Sequence, residues 1–236
     1  MIFLRSIIFS LSMIIMSIAV TLGVLLVFPA SFRIRYAVLA HFAKVNMWVL
    51  KLICKLDYVV EGRENIPEGP AIIFSKHQST WETMALQRVF PPLIFVVKRE
   101  LLWVPFFGWS LKRMDPIAID RKAGRNAIKQ IVDQGIARLK QGLWVVIFPE
   151  GTRVRPGTKG RYKIGGAVLA AESGYPVVPV AHDAGHYWPK GRFLKPAGTI
   201  RMVIGPPIET TGKSAEQILA EAEAYIEGEM ARLDRA

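Results

Sequence analysis

The sequence predicts an α/β domain: a mixed, largely parallel sheet of about seven strands flanked by helices, preceded by a membrane-associated helical segment. Three observations lead there. After Asp57, short β-rich apolar runs alternate with segments of helical period. Several of those runs are apolar without interruption, as strands covered on both faces are. Before Asp57 the chain is long, apolar and then basic.

Residues 6–32 form a run of 27 without a charged side chain, dominated by Ile, Leu, Val, Met and Phe and long enough to cross hydrocarbon. The run exceeds the apolar region of a usual signal peptide, and Phe28-Pro29-Ala30 lacks the small-x-small cleavage pattern, so a retained anchor is expected. Arg33, Arg35, Lys44, Lys51 and Lys55 follow it against Arg5 alone before it, a positive-inside bias that places the body on the cytoplasmic side of the inner membrane. At 100° per residue, Arg33, His41, Lys44, Trp48, Lys51 and Lys55 fall within a sector of about 80°. A narrow basic stripe carrying an indole beside a wide apolar face suits the headgroup boundary of an anionic bilayer. It equally suits a helix packed on the protein body, and either way His41 sits on the polar stripe and not in a catalytic site. Residues 1–56 therefore read as anchoring helices and 57–236 as the α/β domain.

In that domain the expected strands are 58–61, 71–75, 94–98, 116–120, 144–148, 177–180 and 200–204. Between them, 124–141 sets Ile128, Ile131, Val132, Ile136 and Leu139 along one helical face. Residues 164–173 and 215–233 are the other clear helices, the latter acidic and read as a solvated closing element. A helix is also expected to start at Ser79 or Thr80. Pro91-Pro92 and Pro105-Phe106-Phe107-Gly108-Trp109 interrupt the pattern, with Leu101, Leu102, Trp103 and Val104 adding apolar bulk that fits a lipid-chain groove, contact with lipid or ordinary core.

A length of 236 residues with 51% hydrophobic composition suits one sizeable domain plus an extra element. Cys54 is the only cysteine, which excludes an intrachain disulfide, and its apolar setting makes it a packing residue. Residues 1–208 carry 28 Lys and Arg against 12 Asp and Glu, whereas 209–236 carry 3 against 7, so a body near +16 meets a tail near −4. Such a body expects anionic partners: a phospholipid surface, phosphorylated substrates, an acidic carrier protein or nucleic acid.

Two segments carry the chemistry. In Lys76-His77-Gln78-Ser79-Thr80-Trp81-Glu82, His77 follows an apolar strand and precedes a helix, the place where open α/β sheets put active sites. An imidazole there accepts a proton at neutral pH and returns it later. Glu82 can fold back to the other ring nitrogen, fixing the tautomer and stabilising the imidazolium. The same glutamate completes an S-x-x-E capping box with Ser79, so it reads as orienter, as cap or as both. In Phe148-Pro149-Glu150-Gly151-Thr152-Arg153 a strand end turns at the same sheet edge. Gly151 permits close backbone approach, and Arg153 offers a planar fork of donors for phosphate. Arg155, Lys159, Arg161 and Lys163 follow.

Other chemistries lack their residues. No G-x-S-x-G elbow occurs, and no glycine-rich phosphate loop or dinucleotide fingerprint, so a serine hydrolase and a nucleotide cofactor have no support. His182-Asp183-Ala184-Gly185-His186 has the i, i+4 spacing of a zinc helix but follows a Val-Pro strand, contains Gly185 and lacks the usual glutamate, so no metal is expected. Nucleic acid is not expected either, because 153–163 interleaves its basic residues with Tyr162 alone.

Four blocks in order, His77-x4-Glu82, Ile117-Ala118-Ile119-Asp120-Arg121, Phe148-Pro149-Glu150-Gly151-Thr152-Arg153 and Val177-Val178-Pro179-Val180, together with Lys163-x-Gly165, resemble the glycerolipid acyltransferase family, most closely its bacterial 1-acyl-glycerol-3-phosphate acyltransferases. The resemblance covers roughly residues 60–185 and carries an HX4D-type motif, the third block being its most specific part. It implies a glycerol-3-phosphate acyltransferase-like fold and transfer of an acyl group from an acyl-CoA or acyl carrier protein thioester to the sn-2 hydroxyl of lysophosphatidic acid, without a cofactor. It further implies that His77 is the base, that Arg121, Glu150, Gly151, Thr152, Arg153 and Lys163 hold the phosphoglycerol, and that the proline-bearing strand shapes the acyl site. Another lyso-lipid, such as a lyso-ornithine lipid, is the alternative acceptor. A membrane-tethered anionic-ligand binder is the non-enzymatic one. Two departures stand out: Glu82 replaces the family's usual aspartate, and Met114-Asp115-Pro116 stands where the family commonly has glycine.

Overall fold

All seven expected strands form in the computed structural model, which describes residues 1–27 and 29–235. They are β1 (Leu56–Glu61), β2 (Ile72–Ser75), β3 (Leu93–Lys98), β4 (Ile117–Ile119), β5 (Trp144–Ile147), β6 (Val177–His182) and β7 (Gly198–Ile204), lying side by side in the order β1-β7-β6-β2-β5-β3-β4. The five from β6 to β4 run parallel. β7 is antiparallel to β6 and parallel to β1, so those two run against the rest.

The uninterrupted apolar runs have a direct physical cause. In β2, Ile73 faces one core and Ile72 and Phe74 the other; in β5, Trp144 and Val146 share the first core while Val145 and Ile147 share the second. With a side-chain period of two and helices on both faces, both sides of a central strand favour apolar residues, and the buried polar ones, Ser75 and His182, come at the strands' carboxyl ends. The first core is closed by α1 (Ile2–Leu26), α2 (Phe32–Cys54) and α3 (Trp81–Val89), the second by α5 (Arg125–Lys140), α6 (Gly165–Ser173) and α8 (Ala215–Leu233). Two short helices, α4 (Phe107–Lys112) and α7 (Ala184–Tyr187), complete the order.

Each long helix follows its sequence pattern. α5 turns Ile131, Val132 and Leu139 inward, and Gly135 lets it approach Leu169 of α6, where an added Cβ would stand 2.5 Å from the leucine side chain. α8 starts on a full capping box, Ser214 with Gln217, and buries Ile218, Ala222, Ile226, Met230 and Leu233. It is therefore half core, not the solvated element expected from its acidity.

α1 and α2 form a hairpin held on the body at both ends of α1. Ser6 Oγ accepts the Lys195 N–H at 3.1 Å, and Phe9 packs edge-on against Trp188 with ring centroids 5.3 Å apart. At the far end Thr21 Oγ1 meets Ser110 Oγ at 3.4 Å. The outer face of α1 remains apolar and exposed through Phe3, Leu4, Ile8, Leu11, Ile15 and Leu22. α2 buries Ala43, Met47, Leu50 and Cys54 while Arg33, His41, Lys44, Trp48, Lys51 and Lys55 stay outward. It thus satisfies both sequence readings at once. Phe28, inside the expected apolar run, lies outside the described residues.

Asp115 takes φ 50°, the left-handed region that glycine enters without a steric penalty and that aspartate tolerates better than most residues. Here the carboxylate makes use of the site, reaching Arg35 at 3.3 Å and Arg138 at 4.0 Å.

Candidate active site

The carboxyl ends of β2 and β5, neighbours in the sheet, bring the two motif segments together. His77 leaves β2 with its ring stacked on Phe148, centroids 4.0 Å apart and planes 17° from parallel. Its Nδ1 lies 2.8 Å from Glu82 Oε1. A carboxylate at Nδ1 holds the proton there, which leaves Nε2 as the acceptor on the ring edge that lines the cavity.

Glu82 pairs with the His77 ring and caps the start of the helix with the same oxygen. Its Oε1 also accepts the N–H groups of Gln78 at 3.0 Å and Ser79 at 2.9 Å, although Ser79 Oγ accepts from Trp81 N rather than from the residue a full box requires. The side chain is wholly buried. Burial pushes its carboxyl pKa up, but the His77 hydrogen bond, the charges of His182 and His77 and the Ser79 N–H outweigh that and leave it below the ordinary value.

A second histidine stands on the far side of the same carboxylate. His182 Nε2 is 4.0 Å from Glu82 Oε2 and 2.9 Å from the Lys76 carbonyl, while Nδ1 accepts from Ala184 N at 3.3 Å, so Nε2 carries the proton. Burial lowers its pKa against the opposing pull of Glu82. The spacing His182-x3-His186 therefore splits: His182 supports the site from beneath, and His186 pairs with Asp234 at 2.7 Å.

The second segment turns at Gly151, whose φ of +67° favours glycine; Lys163 Nζ packs close over it, 2.8 Å from where a Cβ would stand. Arg153 reaches across to Thr80 at the start of α3, Nη1 donating to Oγ1 at 3.1 Å. Arg121, beyond the end of β4, donates to the Gly151 carbonyl. His77, Arg121, Gly151, Arg153 and Lys163 thus line one cavity of about 810 Å³, together with Gly165 and Gly166 at the start of α6. The remaining walls are mostly apolar, supplied by Met13 and Val20 of α1, Phe42 of α2, Met84 of α3, Phe95 and Val97 of β3 and Ile128 of α5, with Gln87 and Lys98 among them. Leu101 and Phe107 line the cavity too, while Trp103, Phe106 and Trp109 from the same stretch face outward.

Three expectations change. Glu150 does not reach the cavity: its carboxylate is buried, bound to Lys76 Nζ at 2.9 Å and to the His77 N–H at 2.9 Å. A carboxylate would also repel phosphate, and this one fixes the backbone of the base instead. Thr152 is exposed and outside the cavity lining. The 177–180 strand lies buried in the middle of the sheet and is not among the residues lining this cavity; the apolar walls come from α1, α2, α3, β3, α5 and the 101–107 stretch.

The acyltransferase family model matches residues 57–183. Over 206 residues the chain is 48% identical to a 1-acyl-sn-glycerol-3-phosphate acyltransferase of Pseudomonas aeruginosa, an alignment covering 86% of this chain and 80% of that one. A chloroplastic enzyme of the same title from Arabidopsis thaliana is 31% identical over 171 residues; that covers 71% of this chain and 47% of the relative, so the chain spans about half of its length. The crystal structure of the 1-acyl-sn-glycerophosphate (LPA) acyltransferase PlsC from Thermotoga maritima matches with a TM-score of 0.81 at 25% identity, over 99% of this chain and 96% of that one. With the family model matching more than half of its length and a relative 48% identical over most of both chains, the chain belongs to the acyltransferase family.

Proposed function

We propose that this chain transfers an acyl group from a thioester to the sn-2 hydroxyl of 1-acyl-sn-glycerol-3-phosphate, giving phosphatidic acid. One observation carries the reading: the His77–Glu82 pair, 2.8 Å apart, sits where a cavity changes from cationic to apolar. The acceptor phosphate pairs with Arg121, Arg153 and Lys163, and three cations at one end favour a phosphorylated acceptor over a zwitterionic lyso-lipid. The acyl chain lies along the apolar walls.

In this geometry His77 Nε2 takes the proton of the sn-2 hydroxyl as its oxygen attacks the thioester carbonyl. Glu82 stabilises the imidazolium that forms. The tetrahedral intermediate collapses with cleavage of the C–S bond, the imidazolium returns the proton to the departing sulfur, and ester and free thiol leave. The donor is acyl-CoA or acyl carrier protein, both anionic and matched to the basic body.

The same reading places the protein on a phospholipid surface at the cytoplasmic face of the inner membrane. Its supports are the exposed apolar face of α1, the outward basic stripe of α2 with Trp48, and the outward aromatics Trp103, Phe106 and Trp109. Because α1 rests on the body at both ends, the hairpin lies within one leaflet rather than crossing it. The test is direct: purified protein with lysophosphatidic acid and either acyl-CoA or acyl-acyl carrier protein, following phosphatidic acid. Transfer with either donor supports the reading, and transfer to lyso-ornithine lipid alone overturns the choice of acceptor.

A further inference from the structure

The base and the cations of the site are tied together by a helix that lies outside the family's matched residues. Glu227 of α8 directs one oxygen, Oε1, at two buried partners: Lys76 Nζ at 2.7 Å and Tyr162 OH at 2.9 Å. Lys76 precedes His77 in the chain, and Tyr162 precedes Lys163. Lys76 Nζ also holds Glu150 Oε1 at 2.9 Å, and Glu150 Oε2 accepts the His77 N–H at 2.9 Å. One turn earlier on α8, Glu223 pairs with Lys159 at 2.7 Å, a second tie to the same loop. The matched family residues end at 183, and Glu227 lies 44 positions further on.

We infer that Glu227 is a positioning residue whose single oxygen sets the spacing between the base segment at Lys76-His77 and the phosphate-binding segment at Tyr162-Lys163. The inference rests on the proposed roles of His77 and Lys163. The chemistry explains why a charged group is used. A lysine ammonium that is only 1% exposed is costly unless its charge and its donors are met, and Glu150 and Glu227 meet them from the two sides. Burial and the charges of Glu227 and Glu150 push the Tyr162 pKa up, so the hydroxyl stays a donor and Glu227 is its acceptor. Both arms converge on one atom, so neither segment can shift without breaking a bond to the other. A buried network of charges and hydrogen bonds of this kind fixes geometry as well as adding stability.

Three variants test the inference in the full chain: Glu227→Gln, which keeps an oxygen acceptor, Glu227→Leu, which keeps none, and Tyr162→Phe, which cuts one arm. Amide hydrogen exchange at His77 and residues 151–163 should quicken in Glu227→Leu, quicken less in Glu227→Gln, and quicken only near 160–163 in Tyr162→Phe. In the transfer assay Glu227→Leu should lose about 10²-fold in kcat, the cost of a misplaced base. Glu227→Gln, which keeps an acceptor but leaves Lys76 with the charge of Glu150 alone, should fall between the parent and Glu227→Leu. Tyr162→Phe should raise the KM for lysophosphatidic acid about fivefold, the worth of one hydrogen bond, with the donor KM unchanged. A merely structural brace would lower the melting temperature while leaving the kinetics and the local exchange of the folded protein as they were, and that result overturns the inference. If Glu227→Leu does not fold, Tyr162→Phe decides on the same terms. If the parent protein fails to acylate lysophosphatidic acid, the functional reading falls, yet exchange at His77 and 151–163 still decides whether Glu227 couples the two segments.

Discussion

His77 Nδ1 and Glu82 Oε1 stand 2.8 Å apart, and that same oxygen accepts two backbone N–H groups at the start of α3. The orienting and capping roles therefore separate by charge and not by geometry. Glu82→Gln can keep an acceptor for Gln78 and Ser79, so the protein should fold with little loss of stability while turnover falls about 10²- to 10⁴-fold. Glu82→Asp has the charge but is one methylene shorter, and should retain part of the rate with a lower melting temperature. Parent-like turnover in Glu82→Gln would make Glu82 a cap only.

Arg153 spans the cavity mouth to Thr80, so its loss acts on the acceptor first. Arg153→Ala should raise the KM for lysophosphatidic acid more than tenfold, roughly the 1.5–3 kcal/mol of a charged hydrogen bond, with little change for the acyl donor. Arg153→Lys should recover only part, since an ammonium lacks the planar fork. Equal effects on both substrates would assign the arginine to the loop's structure.

Glu150 gives the opposite pattern. Its buried carboxylate holds Lys76 and the His77 backbone, and burial raises its pKa against the pull of Lys76 and the His77 N–H. Glu150→Gln turns an amide donor or a neutral oxygen towards Lys76, which should cost about 1–3 kcal/mol in denaturant unfolding and lower kcat, without selective loss of lysophosphatidic acid affinity. A selective rise in that KM alone would restore Glu150 as a phosphate-site residue.

His182 predicts the acid limb of stability. Its folded pKa is lowered by burial, against a free imidazole near ~6.5, so the unfolded chain binds the proton first as pH falls. The contribution is full above that value and is lost as pH drops from 7 to 5. Glu82, also lowered, adds its own loss only in the carboxylate range further down. His182→Gln should therefore flatten the fall in urea midpoint between pH 7 and pH 5. An unchanged slope would mean that His182 titrates as a free residue does.

The strands and long helices were legible because burial on two faces and helical period leave a local mark. α4 and α7, six and four residues long, leave none; they form where tertiary contacts hold the chain. The His77–Glu82 pair and the Arg153 turn are likewise local patterns. Lys76 with Glu227 is not, since 151 residues separate them, and nothing near Glu227 marks it among the other acids of α8. One signal was available: a lysine directly after the buried run Ile72-Ile73-Phe74-Ser75 needs a buried anion. Glu150 was misplaced because a motif shows which residues travel together, not which way each side chain turns. The position of His182 behind Glu82 leaves no local mark, since its only sequence pattern is the spacing to His186.

The central claim is that His77 is the base, and phosphatidic acid formation by His77→Ala tests it most directly. The ring contributes a stack on Phe148 and one bond to Glu82, so the variant should fold and remain membrane-bound. The account predicts a loss of about 10²- to 10⁴-fold or more in kcat with both substrates still bound. Near-parent turnover in a folded His77→Ala protein would contradict it.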